Sequence, residues 1–508
     1  MTRFLVFVLL TAMTALGTQI SSPPVPSDQA PLATFNKDAL PILQKNCQGC
    51  HRPGGVAPMS FVTYESTRPW AKAIKTAVLD KQMPPWFADP HYGEFRNAPK
   101  LTQSDITTLA AWVDSGAREG NAGGKPPSPK WADSWRIQPD VIVSMAEPYH
   151  LDANGAGEIK EFFVQSPFKE DTWVTSIEIR PSNPSVVHHV IVQVPDVIPA
   201  AGLARAVFAC GDCPQTIDSS AKLQKVEALQ AMAAVADAKK AGNINSHSVG
   251  SYSSVQAKLL ERMTGRGVFT TMEAVYAPGS PPLDFRFTDS AKLIRAGKQI
   301  RIEVHYTPNG KETIDQTMVG FTLAKAPPQR RFVIMAPEHL VDARKPIPAG
   351  EANWETSGEL TFNRDADLVW FMPHMHLRGK DMTFRLIYPD GREETVLSVK
   401  YNFNWQLGYE VETPIQVTKG TRMVVTAHHD NSANNPMNPA PDKDVVWGEL
   451  TSQEMMLPWF GVVVRGDAQP DAIASYKPGD FDGPVGVPFA GRGQKVPLVQ
   501  PAILRQVK

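Results

Sequence analysis

Cysteine is scarce in this chain. Four occur in 508 residues, at positions 47, 50, 210 and 213. That excludes a small disulfide-knit scaffold. Charge of one sign is equally scarce, since Lys+Arg 51 balance Asp+Glu 52 for a net −1. With no basic surplus, nothing in the bulk charge steers the chain to nucleic acid or an anionic membrane surface. Long apolar runs are missing beyond the first twenty residues. No later segment therefore reads as a membrane span, which needs about 20 apolar residues. No tandem repeat is visible. Proline is abundant instead, with 45 residues against an average of about 5%. Many short strands joined by turns are favoured over a helical bundle. At about 150 residues per domain, the length suggests about three domains.

The first twenty residues read as a secretory signal. Arg3 supplies the positive start, Phe4 to Leu16 an apolar run, and Ala15-Leu16-Gly17 a small-x-small cleavage site. The expectation is an exported, periplasmic protein with no membrane span once the signal is cleaved. An uncleaved anchor is the competing reading. A Ser/Pro-rich linker occupies 21–34, and a second Gly/Pro-rich linker 119–134.

Between the linkers stands Cys47-Gln48-Gly49-Cys50-His51. This is C-x-x-C-H, the attachment signature of a c-type haem. Two thiols add across the haem vinyl groups, and the adjacent imidazole becomes the proximal iron ligand. Residues 35–118 are expected to form a small all-α haem domain. Its last helix opens at Thr102, carries Ile106, Leu109, Ala110 and Val113 at 3–4 spacing, and stops near Gly116. The first choice for a sixth iron ligand is Met83, in Gln82-Met83-Pro84-Pro85-Trp86, because a thioether suits haem iron. Met59 and His91 are the alternatives. Cys210 and Cys213 also form C-x-x-C. A local disulfide between them is the first reading, and a metal or redox role the second.

From Trp135 onward short β-type runs take over. They include Val141–Val143, Phe162–Val164, Val190–Val194, Ile300–Val304, Leu368–Met372, Phe384–Tyr388 and Met423–Thr426. Residues 219–241 interrupt them with an Ala- and Lys-rich stretch that reads as an inserted helix.

The twelve histidines are clustered. His188-His189 lie in a Val-rich run, His305 in Glu303-Val304-His305-Tyr306, and His374 and His376 form H-x-H. On a strand, residues i and i+2 share a face, so H-x-H offers two imidazoles to one metal. Adjacent histidines cannot do so without a bulge. Imidazole suits copper, zinc, iron or nickel, and an added thioether tilts the choice toward Cu(I). Met455 and Met456 supply candidate thioethers. His428-His429 read first as part of a strand end and turn.

The order His-His, V-H-Y, H-x-H-L-x-G-K, E-M resembles the copper type II, ascorbate-dependent monooxygenases, a family that includes peptidylglycine α-hydroxylating monooxygenase. The resemblance covers roughly residues 140–465. The whole chain also looks like bacterial proteins that join a cytochrome c domain to this module, through "PHMHLRGK", "DNSANNPMNP" and "WGELTSQEMM". What it implies is a multi-domain chain: a small all-α cytochrome c domain, then two all-β jelly-roll-like sandwiches at 135–325 and 326–508. The first would carry a helical insertion near 215–265. The resemblance also implies two copper ions. His188, His189 and His305 match the electron-transfer copper. His374, His376 and Met455 match the oxygen-binding copper.

The family hydroxylates a substrate C–H bond with O₂, and here haem c would supply the electrons, with or without an ascorbate-like donor or a redox protein. The organic substrate is unspecified. Two departures argue against peptide amidation. Met372 stands where the peptide-hydroxylating member has an Arg, and Trp459 where it has a Tyr, which suggests an apolar substrate face. The family's several disulfides also have no counterpart. The rival expectation is a periplasmic electron-transfer cytochrome with a non-catalytic copper-binding β-module.

Overall fold

The computed structural model describes residues 32–129, 135–155, 157–194, 269–297, 299–337, 340–341, 345–448, 451–466 and 468–477. The signal segment, the helix expected over 219–241 and the Cys210/Cys213 pair lie outside them.

Four α-helices come first: α1 (Leu40–Asn46), α2 (Tyr64–Thr67), α3 (Ala71–Leu79) and α4 (Gln103–Asp114). Helix α4 begins where its cap dictates. The Thr102 side chain accepts from the Asp105 N–H, and the Asp105 carboxylate accepts from the Thr102 N–H, so two otherwise orphaned donors are satisfied. Gly116, at φ +94°, follows the helix in a left-handed conformation that glycine tolerates best.

The fold class expected from the sequence is corrected here. The protein is mostly β-sheet, 39% strand against 14% helix, and no substantial all-α cytochrome c domain forms. The four helices span only 7, 4, 9 and 12 residues, around a small core of Phe35, Leu43, Leu109 and Trp112. Prolines explain part of this. Pro84 and Pro85 cannot continue α3, because proline lacks the donor a helix requires. The chain beyond them runs as a strap along two sheet edges. Ala88 bridges to Val399 and Phe95 to Val411. Trp86, Phe87 and Phe95 pack on a β-core, not a helical one. Arg96 anchors the strap through a 2.5 Å ion pair with the buried Glu410. Its guanidinium also lies 3.8 Å from the Phe287 ring centroid. Removing it strands a carboxylate whose pKa burial already raises. Arg96→Ala is expected to cost about 2 kcal/mol, less than a fully buried pair because Arg96 is partly exposed. Limited proteolysis should then cut first within the strap; an unchanged cleavage pattern would contradict this anchoring.

Strands β1 (Val141–Ser144), β2 (Tyr149–Leu151), β3 (Glu158–Gln165), β4 (Thr172–Arg180) and β5 (Val187–Gln193) follow the second linker. Next come β6 (Phe269–Met272), β7 (Ala274–Tyr276), β8 (Leu283–Asp284), β9 (Lys292–Ile294), β10 (Gln299–Tyr306), β11 (Thr313–Asp315), β12 (Met318–Leu323) and β13 (Arg330–Pro337). The last are β14 (Trp354–Phe362), β15 (Ala366–His374), β16 (Gly379–Ile387), β17 (Glu393–Lys400), β18 (Tyr409–Val417), β19 (Arg422–His429) and β20 (Leu457–Arg465). A short helix α5 (Pro470–Ile473) and β21 (Ala474–Tyr476) end the described chain.

Five sheets form among the described residues. One sandwich stacks β1-β12-β4-β8, with β9 on β4, against β3-β10-β5-β7, and β11-β2 is a small ribbon beside them. The other stacks β18-β15-β20-β13-β6 against β17-β16-β19-β14-β21. Strand β6 lies before the expected boundary at 325/326 yet pairs with β13.

The β18-β15-β20-β13-β6 sheet is buried on both faces. Phe371, Phe460, Val462 and Val333 pack into the core of the second sandwich. Trp370, Met372, Trp459, Val463 and Ile334 point the other way, into the core of the first. This is why Leu368-Val369-Trp370-Phe371-Met372 is apolar at every position, since a one-faced strand would alternate. No helix among the described residues is long and apolar enough to cross a membrane.

Candidate metal centre

Strand β5 opens Val187-His188-His189. Successive strand residues point to opposite faces, so the two histidines meet on one side only if the pairing is interrupted. It is: β10 sets His305 opposite His189 but Tyr306 opposite Val187, leaving His188 as the extra residue of a bulge. Ligand atoms of His188, His189 and His305 lie within 4.8 Å of one another. The Nδ1 atoms of His188 and His189 are 3.1 Å apart. Nε2 of His188 and Nδ1 of His305 are buried without a hydrogen-bond partner. Such an orphaned atom costs about 1–3 kcal/mol, which coordination would relieve. Burial pushes His188 down to about 4 and holds His189 and His305 well below the ordinary imidazole value. Neutral imidazole is the metal-binding form.

His374 ends β15, and His376 lies in the turn to β16 with its ring 5.3 Å from that of His374. Nδ1 of His374 donates to Gln406 Oε1 at 2.8 Å, and Nδ1 of His376 donates to the Gln453 carbonyl at 3.1 Å. Both Nε2 lone pairs are thereby left for a metal, the usual way a protein fixes a ligating tautomer. Burial pushes His376 down to about 3. Met375, between them, faces the second sandwich core.

Met455 immediately precedes Met456, which lies next to β20. One fully buried carboxylate ties Met455 to the histidines. Glu454 Oε2 accepts the N–H of His376 at 2.9 Å and of Met455 at 3.3 Å, and Oε1 accepts the N–H of Arg378 at 2.6 Å. Burial pushes this carboxyl up to about 7, against the pull of those donors and of the Arg378 charge. His429, fully buried, lies 3.8 Å from Glu454 and 3.3 Å from the Met455 carbonyl oxygen. His428 turns away to Asp381, at 2.6 Å.

The two histidine sets adjoin, with the ring of His189 6.3 Å from that of His374. The loop between β17 and β18 reaches both. Phe403 stacks on His188 at 4.9 Å, and Gln406 holds His374. Neither residue carries a signal in the sequence, because the loop has no periodicity. Glu454 was visible only as the acidic neighbour of Met455.

The haem-attachment motif continues from α1 as a tight turn. The N–H groups of Cys50 and His51 both donate to the Cys47 carbonyl. Cys47 and Cys50 are free thiols, and burial pushes Cys47 up to about 12. Phe61 stacks on His51 at 4.2 Å, and Nδ1 of His51 is buried without a partner. Two free thiols and an imidazole with its Nδ1 unpartnered form a donor set that fits a c-type haem. Among the expected sixth ligands, Met59 is buried in the helical core, and its backbone bonds to the His51 ring. Met83 follows α3, its N–H donating to the Ala77 carbonyl. His91 is exposed against Asp89. Cys50 lies near the β region: a Cβ added at Gly279, three residues past β7, would be 3.8 Å from its Sγ. Strand β7 pairs with β5, setting Tyr276 opposite Val190, next to His189.

Met372 and Trp459 face each other across β15 and β20. They are 1% and 4% exposed, buried in the core that joins the sandwiches. A crevice with a volume of about 10 Å³ lies at Pro373, next to His374, lined by Phe87, Tyr401, Trp405 and Tyr409 among others. Substrate sites usually span roughly 300–1,000 Å³, so it does not by itself identify a substrate.

No protein-family model matches this chain, and no curated protein matches it. A solved structure titled "Structure of infectious bursal disease virus Gt strain" aligns at 9% identity over 69% of this chain and 80% of that one. Its TM-score of 0.11 supports no conclusion about fold or function.

Proposed function

We propose that this protein is an exported copper-dependent monooxygenase that hydroxylates a C–H bond with O₂, its electrons arriving through a c-type haem on Cys47 and Cys50, an ascorbate-like donor, or both. The observation that carries the reading is the gathering of five imidazoles, four of them buried and His188 partly so, from three distant segments, with Nε2 of His188 and Nδ1 of His305 left unpaired. His188, His189 and His305 would hold one copper. His374, His376 and Met455 would hold the other. Bound copper supplies one-electron redox chemistry, and haem c relays single electrons. Each turnover consumes O₂, two electrons and two protons, and yields an alcohol and water.

The chain's own residues prepare that chemistry. Burial keeps the imidazoles neutral, Gln406 and the Gln453 carbonyl aim the second pair, and Glu454 holds Met455 beside His376. The Met455 thioether would favour the reduced metal. The nearness of Cys50 to the turn after β7 supports electron entry beside His189.

Metal analysis of haem-matured protein should find about two coppers and one iron per chain. In Met455→Ile, X-ray absorption of the reduced protein should lose its copper–sulfur contact, and O₂ consumption should fall by about 100-fold or more, with the haem spectrum unchanged. Iron without copper would overturn the reading, and a retained copper–sulfur contact would overturn the ligand. One observation favours the electron-transfer alternative: Met372 and Trp459 are buried, leaving no open substrate face there. That alternative requires fully loaded protein to consume no O₂ coupled to product.

A further inference from the structure

The haem motif and the first sandwich approach each other at one turn. Strand β7 ends at Tyr276, and Ala277-Pro278-Gly279-Ser280-Pro281-Pro282 carries the chain to β8. The Ser280 N–H donates to the Ala277 carbonyl at 3.0 Å, and Gly279 takes a φ of +86°. Proline then glycine at the two central positions suits a type II turn, whose positive φ glycine adopts without strain. The three prolines stiffen the segment further. Gly279 is also the residue whose added Cβ would lie 3.8 Å from Cys50 Sγ. The bare backbone of a stiff turn therefore stands next to that thiol.

One arginine ties the turn down. Arg136 Nη2 donates to the Ser280 carbonyl at 3.0 Å. The Arg136 backbone N–H and Nε both donate to Glu178, at 2.7 and 3.1 Å, and the Ile137 N–H adds a bond to the same carboxylate at 3.1 Å. Glu178 lies in β4 and is 3% exposed. A half-exposed arginine is usually free to swing, but this one is held at both ends. Its charge also reaches the haem motif. Burial raises the pKa of the Cys50 thiol, and the charges of Arg136 and of Arg52, in the motif's own loop, pull it back down.

We propose that haem c seats against turn 277–280 of the first sandwich, and that Arg136 is the positioning residue that holds this seat and favours the reduced iron. Ferric haem carries one more positive charge than ferrous haem, so a guanidinium fixed nearby disfavours it. The seat also faces the first histidine set along the sheet, because Tyr276 pairs with Val190, the neighbour of His189. One electron would cross there, ferrous haem becoming ferric as one Cu(II) becomes Cu(I), with no bond broken and no proton moved. The inference rests on the haem part of the reading above and is tested without copper.

The test uses full-length, haem-matured, copper-free protein and redox titration of the haem absorbance. Arg136→Gln should shift the reduction equilibrium roughly 3–10-fold toward the ferric form, at about 59 mV per tenfold for one electron. Arg136→Lys keeps the charge and should keep the parent potential. An unchanged potential in Arg136→Gln, or an equal fall in Arg136→Lys, would overturn the role of the charge. Hydrogen exchange over residues 274–284 reads the seat. It should be slower, by about tenfold, in haem-matured protein than in Cys47→Ser/Cys50→Ser, which cannot attach haem, with the second sandwich exchanging alike in both. Equal exchange at the turn would overturn the seat. Arg136→Gln should lose most of the slowing, and full slowing in that variant would overturn the hold. The comparison with the Cys variant decides the seat even if Arg136→Gln folds poorly. A parent chain that binds no iron would overturn the haem reading as well, whereas bound iron with an unprotected turn overturns this inference alone.

Discussion

Replacing Glu454 with leucine is expected to cost about 3–5 kcal/mol of stability, the penalty for breaking a buried charged network, and to empty the copper position nearest Met455. Glu454 is fully buried, and its two oxygens accept three backbone N–H groups, from His376, Arg378 and Met455. Leucine fills the volume but accepts nothing. Each abandoned donor costs about 1–3 kcal/mol, and Arg378, 2% exposed, keeps a charge with less to offset it. Arg378 has other partners in Asn431 and the Ser452 carbonyl, which is why the total stays below the sum of the parts. Glutamine separates folding from ligand placement, since it keeps one acceptor oxygen and the shape. Its NH₂ would face a buried N–H donor on the other side, so Glu454→Gln should lose less stability than Glu454→Leu, about 1–3 kcal/mol, while binding its second copper about 10–100-fold more weakly, the usual cost of losing an outer-shell partner. Thermal melting and competition with a Cu(I) chelator read the two effects independently. Unchanged copper affinity in Glu454→Leu would show that Glu454 does not position the ligands.

Much of this centre was legible in the residue order, because its parts obey short-range rules. H-x-H announces two imidazoles on one side, and His374 and His376 lie 5.3 Å apart. Adjacent histidines demand a bulge, and His188 is the bulged residue. The capping residues around α4 mark its start, and each apolar run named between Val141 and Thr426 lies in a strand except for its last residue at Val194 and at Tyr388. What stayed hidden depends on contacts far apart in sequence. Phe403 and Gln406 lie in a loop without pattern, and only the folded chain sets them against His188 and His374. The segment after α3 looked like part of a helical domain because it carries Met83 close to the haem motif. In the folded protein Trp86, Phe87 and Phe95 find apolar surface on the second sandwich, more than 300 residues away in sequence for Phe95 and Tyr409. That competition, not local propensity, decided the fate of the expected all-α domain. The apolar run from Leu368 to Met372 signalled burial on both faces, but no local pattern says which sheet covers the second face.

The sheet shared by the two sandwiches makes the last prediction. Gly461 sits in β20 beside Trp370 and Phe332, and a Cβ there would lie 2.9 Å from Trp370 Cβ and 3.0 Å from Phe332 Cζ. Both neighbours belong to the core between the sandwiches. Two effects oppose each other in Gly461→Val. Losing glycine from a strand interior gains about 0.5–1 kcal/mol, and valine suits a strand. Overpacking a full core costs about 1–3 kcal/mol, and here the nearer contact is a Cβ, which no side-chain rotation can move. The clash should win, for a net loss of about 1–2 kcal/mol, relieved by a shift of β15 and of the Phe332 ring away from β20 within the one sheet. His374 ends β15, the strand that carries Trp370, so the same shift displaces His374 from its place 6.3 Å from the His189 ring. Gly461→Val should thus melt lower and, if the copper reading holds, bind the copper at His374 more weakly although no ligand has changed. A variant as stable as the parent would mean the core around Trp370 and Phe332 can take up the added side chain. A less stable variant that keeps its copper affinity would mean that β15 does not carry the strain as far as His374.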